Sequence, residues 1–167
     1  AHLNVEQARW EINIPVVFEK SEALRYKALN LKLSCSIGEA MATYLVTGTN
    51  RGIGLEFVEQ LIQRGDEILA TCRNIDTALE LKQLHITYAD LHLLELDLSQ
   101  PESLHNFANQ LKGAAIDVFI NNAGVYGPKN VEFGTVNRRV WAQVFQVNTI
   151  APLLLTQALE DNFKRGN

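Results

Sequence analysis

The segment Thr47-Gly48-Thr49-Asn50-Arg51-Gly52-Ile53-Gly54 constrains the fold more than any other part of the chain. It comes after a short β-rich run, Ala42 to Thr47, and precedes an apolar pattern of helical period, so it reads as a strand-to-helix turn. Residues without a β-carbon at Gly48, Gly52 and Gly54 permit a tight turn and close approach of the backbone to an anion. The first amides of the next helix would then point at that anion. Such a turn can also be purely structural, so its meaning depends on the rest of the chain.

Downstream of the turn, helix and strand alternate. Ile53, Phe57, Val58, Leu61 and Ile62 form an apolar stripe, Glu56, Glu59, Gln60, Gln63 and Arg64 face away, and Gly65 stands where a helix would stop. Ile68 to Cys72 is a second strand, and Asp76 to Leu84 a short helix. Leu93 to Leu96 is a third strand. After it, Ser99-x-x-Glu102 has the form of a capping box, opening a helix with the stripe Leu104, Phe107, Ala108 and Leu111. Ile116 to Ile120 is a fourth strand, apolar enough for a parallel sheet covered on both faces. From about Asn137 to Lys164 the pattern is helical, with one interruption at Pro152. The expected fold is α/β, a Rossmann-type doubly wound parallel sheet.

Composition limits the partners. The 167 residues, 47% hydrophobic and 20% charged, suffice for one domain with its own core. A formal net charge of -4 lacks the basic excess that nucleic acid binding requires. Cys35 and Cys72 lie far apart without metal-ligand spacing, which argues against a disulfide framework or zinc site and for a reducing cytoplasm. No apolar run approaches the roughly 20 residues of a membrane span, and no export leader is apparent. The single methionine, Met41, precedes the first strand. Residues 1–40, with one candidate helix from a Ser21 cap through Leu24, Ala28 and Leu31, are read as an extension outside the fold, and residues 41–167 as the Rossmann-type domain.

The spacing GxxxGxG differs from the GxGxxG of long-chain dehydrogenases and lacks the Gly-Lys-Ser/Thr of a P-loop. Together with Asp97-Leu98 after the third strand, Asn121-Asn122-Ala123-Gly124 after the fourth, and Asn148 in the next helix, it resembles the short-chain dehydrogenase/reductase family. The run Thr43 to Glu56 is most similar to the C-factor-like carbonyl reductase subgroup. The resemblance covers essentially all of residues 42–167. It implies that Gly48, Asn50, Arg51, Gly52, Ile53 and Gly54 hold the cofactor at the turn, that Asp97, with Leu98 beside it, accepts a hydrogen bond from the adenine amino group, and that Asn121, Ala123 and Gly124 line the cofactor. A solvated helix-leading Asp97 and a plain tight turn at Asn121 to Gly124 are the structural alternatives.

Pro152 lies four residues after Asn148 and cannot supply the amide that a helix would offer the Asn148 carbonyl. By resemblance, the freed carbonyl is a catalytic feature, holding a water that joins the catalytic lysine to solvent; a kink for packing is the alternative. Arg51 and Arg73 occupy places where the family carries cations that select NADP(H) over NAD(H), and no acid stands at the end of the second strand to bind a free ribose hydroxyl.

The family's proton donor is a tyrosine whose pKa is lowered by a lysine four residues later, with a serine nearby. Here Tyr26, Tyr44, Tyr88 and Tyr126 have Asn30, Gly48, His92 and Asn130 at that distance. The expectation is therefore an oxidoreductase of alcohols or carbonyls in incomplete form, cut after the fourth strand and its helix. By itself it would be inactive and unable to build the family's usual homo-oligomer. The alternative is a non-catalytic dinucleotide-binding or interaction module, or an inactive gene fragment.

Overall fold

The computed structural model describes residues 41–129 and 131–166. The extension 1–40, its candidate helix and Cys35 lie outside the described residues. The elements run β1 (Thr43–Thr47), α1 (Gly52–Gln63), β2 (Glu67–Cys72), α2 (Leu79–Thr87), β3 (Leu91–Glu95), α3 (Pro101–Gln110), β4 (Val118–Ile120) and α4 (Arg138–Phe145). A π-helical turn (Gln146–Ile150), α5 (Ala151–Ala158) and α6 (Glu160–Phe163) complete the order.

The strands form one parallel sheet in the order β3-β2-β1-β4, the Rossmann-type arrangement expected. β1 is central: Thr47 is level with Thr71 of β2, and Val46 with Ile120 of β4. Successive side chains of a strand point to opposite faces, and the core divides accordingly. Leu45 and Leu69 pack on one face with Leu104 and Phe107 of α3 and Leu155 of α5. Val46, Ile68 and Ala70 pack on the other with Leu55, Val58, Leu61 and Ile62 of α1 and Leu81 of α2. Two helical layers thus cover both faces, as near-continuous apolar strands require. Asn162 of α6 ties the far end, its Nδ2 donating to the carbonyls of Leu111 (2.6 Å) and Ala114 (2.9 Å) before β4.

Four readings of the sequence need correction. Ile53 does not join the apolar stripe; it lies in the first turn of α1, is 60% exposed, and Gly54 and Leu55 take the inward positions. The second helix begins at Leu79, because Asn74 first closes a turn by accepting the Thr77 amide at 3.3 Å. Ser99 does not cap α3. Its amide and hydroxyl both donate to Asp97 Oδ1, at 2.9 and 2.8 Å, and α3 opens two residues later at Pro101, whose missing amide suits a first turn. The break in the last helix is a π turn upstream of Pro152: the Ala151 amide reaches back five residues to the Gln146 carbonyl, and Pro152 then sits in the first turn of α5.

Candidate functional site

A cavity of about 420 Å³ lies across the carboxyl ends of the four strands. In open parallel sheets, ligands bind here, where connections diverge to opposite faces. β1 and the turn after it contribute Thr47, Gly48, Asn50 and Arg51, and β2 and its end contribute Thr71, Cys72 and Arg73. Leu96, Asp97, Leu98 and Ser99 come after β3, and Asn122 to Val125 after β4. Gln143 and Val147, one helical turn apart, close one side.

The glycine turn is shaped by hydrogen bonds to its neighbours. The Thr71 carbonyl accepts from the amides of Gly48 (2.9 Å) and Thr49 (3.0 Å) and from the buried Thr49 hydroxyl (3.1 Å), which fastens the turn to the end of β2. Gly48 has φ +72°, a backbone region open to glycine, and a β-carbon there would press on Ala123 Cα at 2.8 Å. At Gly54 a β-carbon would run into the Gly48 carbonyl oxygen, so α1 can start this close to β1 only with glycine. Around Gly52, with φ +59°, nothing lies within 4 Å of such a carbon.

Thr47 joins the turn to the loop after β4. Its fully buried hydroxyl accepts from the amides of Asn122 (3.1 Å) and Ala123 (3.0 Å) and donates to Asn121 Oδ1 at 3.4 Å. Asn122 Nδ2 donates back to the carbonyls of Thr47 (2.9 Å) and Gly48 (3.2 Å). Asn148, in the π turn, holds the same loop from the other side: Oδ1 accepts from the Val125 amide at 2.8 Å, and Nδ2 donates to the Val125 carbonyl at 2.9 Å.

Charge is asymmetric across the cavity. The α1 N-terminus has no side-chain cap and no acid in its first turn, so its amides are available to an anionic group. Arg51 and Arg73 are exposed, line the cavity and have no ion-pair partner among the described residues. A second hollow of about 300 Å³ lies between Asn50, Arg73, Asn74, Thr77 and Asp97. The α1 amides and the two guanidinium groups fit the phosphates of a dinucleotide, and the apolar Leu96 and Leu98, both nearly buried, fit the flank of a base. Cys72 is unbridged, and burial pushes its thiol up, so it forms cavity wall and carries little thiolate near neutral pH.

Of the residues singled out from the sequence, Gly48, Asn50, Arg51, Arg73, Asp97, Leu98, Ala123 and Gly124 line the cavity. Gly52, Ile53, Gly54, Asn121 and Asn148 do not; Gly54 and Asn148 shape its walls from behind, through the close approach to Gly48 and the bonds to Val125. Sequence reasoning missed Thr71, Cys72, Leu96, Ser99, Val125, Gln143 and Val147 as lining residues. The spacing of Gln143 and Val147 on one helical face was a usable signal, whereas Thr71 enters through its strand register with Thr47.

The model of the short chain dehydrogenase family matches residues 42–167, and the chain belongs to that family. It is 31% identical over 126 residues to an uncharacterized oxidoreductase of Schizosaccharomyces pombe, covering 74% of this chain and 49% of the relative. It is 36% identical over 90 residues to (+)-neomenthol dehydrogenase of Arabidopsis thaliana, covering 50% of this chain and 30% of that protein. Among solved structures it resembles NADPH-bound carbonyl reductase from chicken fatty liver, with TM-score 0.68 and 36% identity over 77% of this chain and 51% of that one. The carbonyl reductase Sniffer of D. melanogaster has TM-score 0.68 and 30% identity, over 75% of this chain and 53% of that one. The chain spans about half the length of the curated relatives it matches.

Proposed function

We propose that these residues form the cofactor-binding part of an NADP(H)-dependent oxidoreductase acting on an alcohol or carbonyl substrate, a small molecule handled in the cytoplasm. One observation carries the choice of cofactor. Two arginines without an ion-pair partner among the described residues, Arg51 and Arg73, line the cavity, while β2 is followed by Arg73-Asn74 without an acid. Guanidinium groups match a 2′-phosphate in charge and geometry, and a carboxylate at that place would match a free 2′-hydroxyl. The NADPH-bound state of the chicken carbonyl reductase supports the same reading.

Each remaining wall then has a task. The open amides at the start of α1 bind pyrophosphate, Asp97 and Leu98 receive the adenine, and Ala123 and Gly124 run alongside the dinucleotide. Nicotinamide, when bound, supplies the hydride. The complementary proton donor is a task that no described tyrosine is placed to perform. The Tyr44 hydroxyl accepts from Arg64 Nη2 at 2.5 Å, Tyr88 packs on the core, and Tyr126 is 99% exposed with no lysine four residues on. That observation favours a second reading for the 167 residues taken alone, a module that binds the dinucleotide without turning it over. Equilibrium titration of the chain with NADPH and NADH tests the cofactor assignment: tighter binding of NADPH is expected, and equal affinities overturn it.

A further inference from the structure

Asp97 is held in a particular orientation by its neighbour two residues on. Ser99 donates to Asp97 Oδ1 twice, from its amide at 2.9 Å and its hydroxyl at 2.8 Å. Gln100 Nε2 donates to Ser99 Oγ at 3.4 Å, which directs the serine's own hydrogen toward the carboxylate. Behind Asp97, Ser103 Oγ accepts the Asp97 amide at 2.9 Å and anchors the main chain at the head of α3. No arginine or lysine pairs with Asp97 among the described residues, and Oδ2 has no partner among them. One oxygen thus accepts twice from Ser99, while Asp97 lines both hollows with Arg73 and Asn50.

An ionised carboxylate is an acceptor without a donor. Its uncommitted oxygen suits a base that presents an exocyclic amino group and repels one that presents a carbonyl oxygen at the same place. How sharply it distinguishes them depends on whether the carboxylate can rotate. With two donors on Oδ1, turning the plane breaks two charge-assisted hydrogen bonds, whereas with the amide alone it breaks one. We propose that Ser99 is a positioning residue that, by locking Asp97, sets the preference of this site for a 6-amino purine dinucleotide over its 6-oxo counterpart. This rests on the reading of the cavity as a dinucleotide site with Asp97 at the adenine amino group, and adds to it a positioning residue.

The experiment titrates the 167-residue chain with NADPH and with nicotinamide hypoxanthine dinucleotide phosphate, which differs in having oxygen in place of the 6-amino group. Wild-type protein is expected to prefer NADPH by about tenfold or more, the scale of one hydrogen bond to a charged group. In Ser99→Ala the preference should fall to about threefold or less, with a melting temperature lowered by no more than about a few degrees, because the amide-to-carboxylate bond and the Ser103 anchor survive. Ser99→Thr, which keeps the hydroxyl, should restore it. A purely structural serine would lower both affinities together and leave their ratio alone. An unchanged ratio in Ser99→Ala, or a wild-type chain that binds both dinucleotides equally, overturns the proposal while leaving the cavity a dinucleotide site. Failure of the wild-type chain to bind either compound overturns the dinucleotide reading and this proposal with it.

Discussion

Arg73 and Gly54 act on the same cavity by different physics. Arg73 is exposed at the end of β2, bonded to nothing described, so its substitution should leave the fold intact and change only what the site prefers. Arg73→Asp should weaken NADPH binding by tens-fold or more, taking roughly 1.5 to 3 kcal/mol for each lost charge-assisted bond, and leave NADH nearly unaffected. Fluorescence titration with the two cofactors checks this, and parallel losses for both would remove Arg73 from the phosphate site. Gly54 is a steric case: a methyl group there meets the Gly48 carbonyl oxygen and, at 2.6 Å, Asn122 Nδ2. Gly54→Ala should destabilise the protein by about 1–3 kcal/mol, as overpacking does, and reshape the turn enough to abolish dinucleotide binding. Urea unfolding together with the same titration measures both effects, and an alanine variant that binds normally contradicts the steric argument.

At the scale of elements, the cavity is a set of strand ends held in register by polar clamps. Thr47 and Asn122 lock β1 to the β4 loop, and Asn148 locks that loop to the π turn. Asn148→Ala removes both bonds to Val125, and at about 1 kcal/mol each the expected cost is about 2 kcal/mol. The accompanying sign should be faster amide exchange at Val125, whose donor loses its partner. Unchanged exchange there would show that the clamp is not what orders the loop. These clamps also mark where sequence reading stops short. The glycine spacing and the asparagine pair were legible as a cofactor turn and a strand-end loop. That Asn148 uses its side chain on Val125, with the helix break made by a π turn before Pro152, required the neighbouring loop to be in place. Ser99 shows the same limit: its sequence context is that of a helix cap, and a nearby carboxylate outcompetes the helix amides for its hydroxyl.

For the molecule as a whole, β4 pairs with β1 and has no second strand partner among the described residues. Leu153 and Phe145 on the last helices are 68% and 57% exposed, further apolar surface besides that edge strand. The 167-residue chain is therefore expected to bind NADPH, to associate on concentration, and to catalyse no reduction of aldehydes, ketones or quinones. With no tyrosine followed by a lysine four residues on, general acid catalysis of about 10²- to 10⁴-fold is expected to be missing. Following NADPH oxidation beside light scattering tests all three, and stereospecific turnover by this chain would show that the acid has been misplaced.

The amino-acid sequence by itself determined the alternation of strand and helix, the doubly wound class and the glycine turn, because apolar periodicity and the absence of side chains at Gly48, Gly52 and Gly54 are local properties. It also located the two arginines and Asp97, since strand ends in such a sheet converge on one crevice. The tertiary structure alone decided which donors each acceptor receives. Thr71 gathers three hydrogen bonds from a turn that precedes it by more than twenty residues, Ile53 turns outward, and Ser99 commits one oxygen of Asp97. The physical reason is that hydrogen bonding is short-ranged and directional, so a polar side chain with several possible partners is assigned only when the chain brings them within about 3 Å.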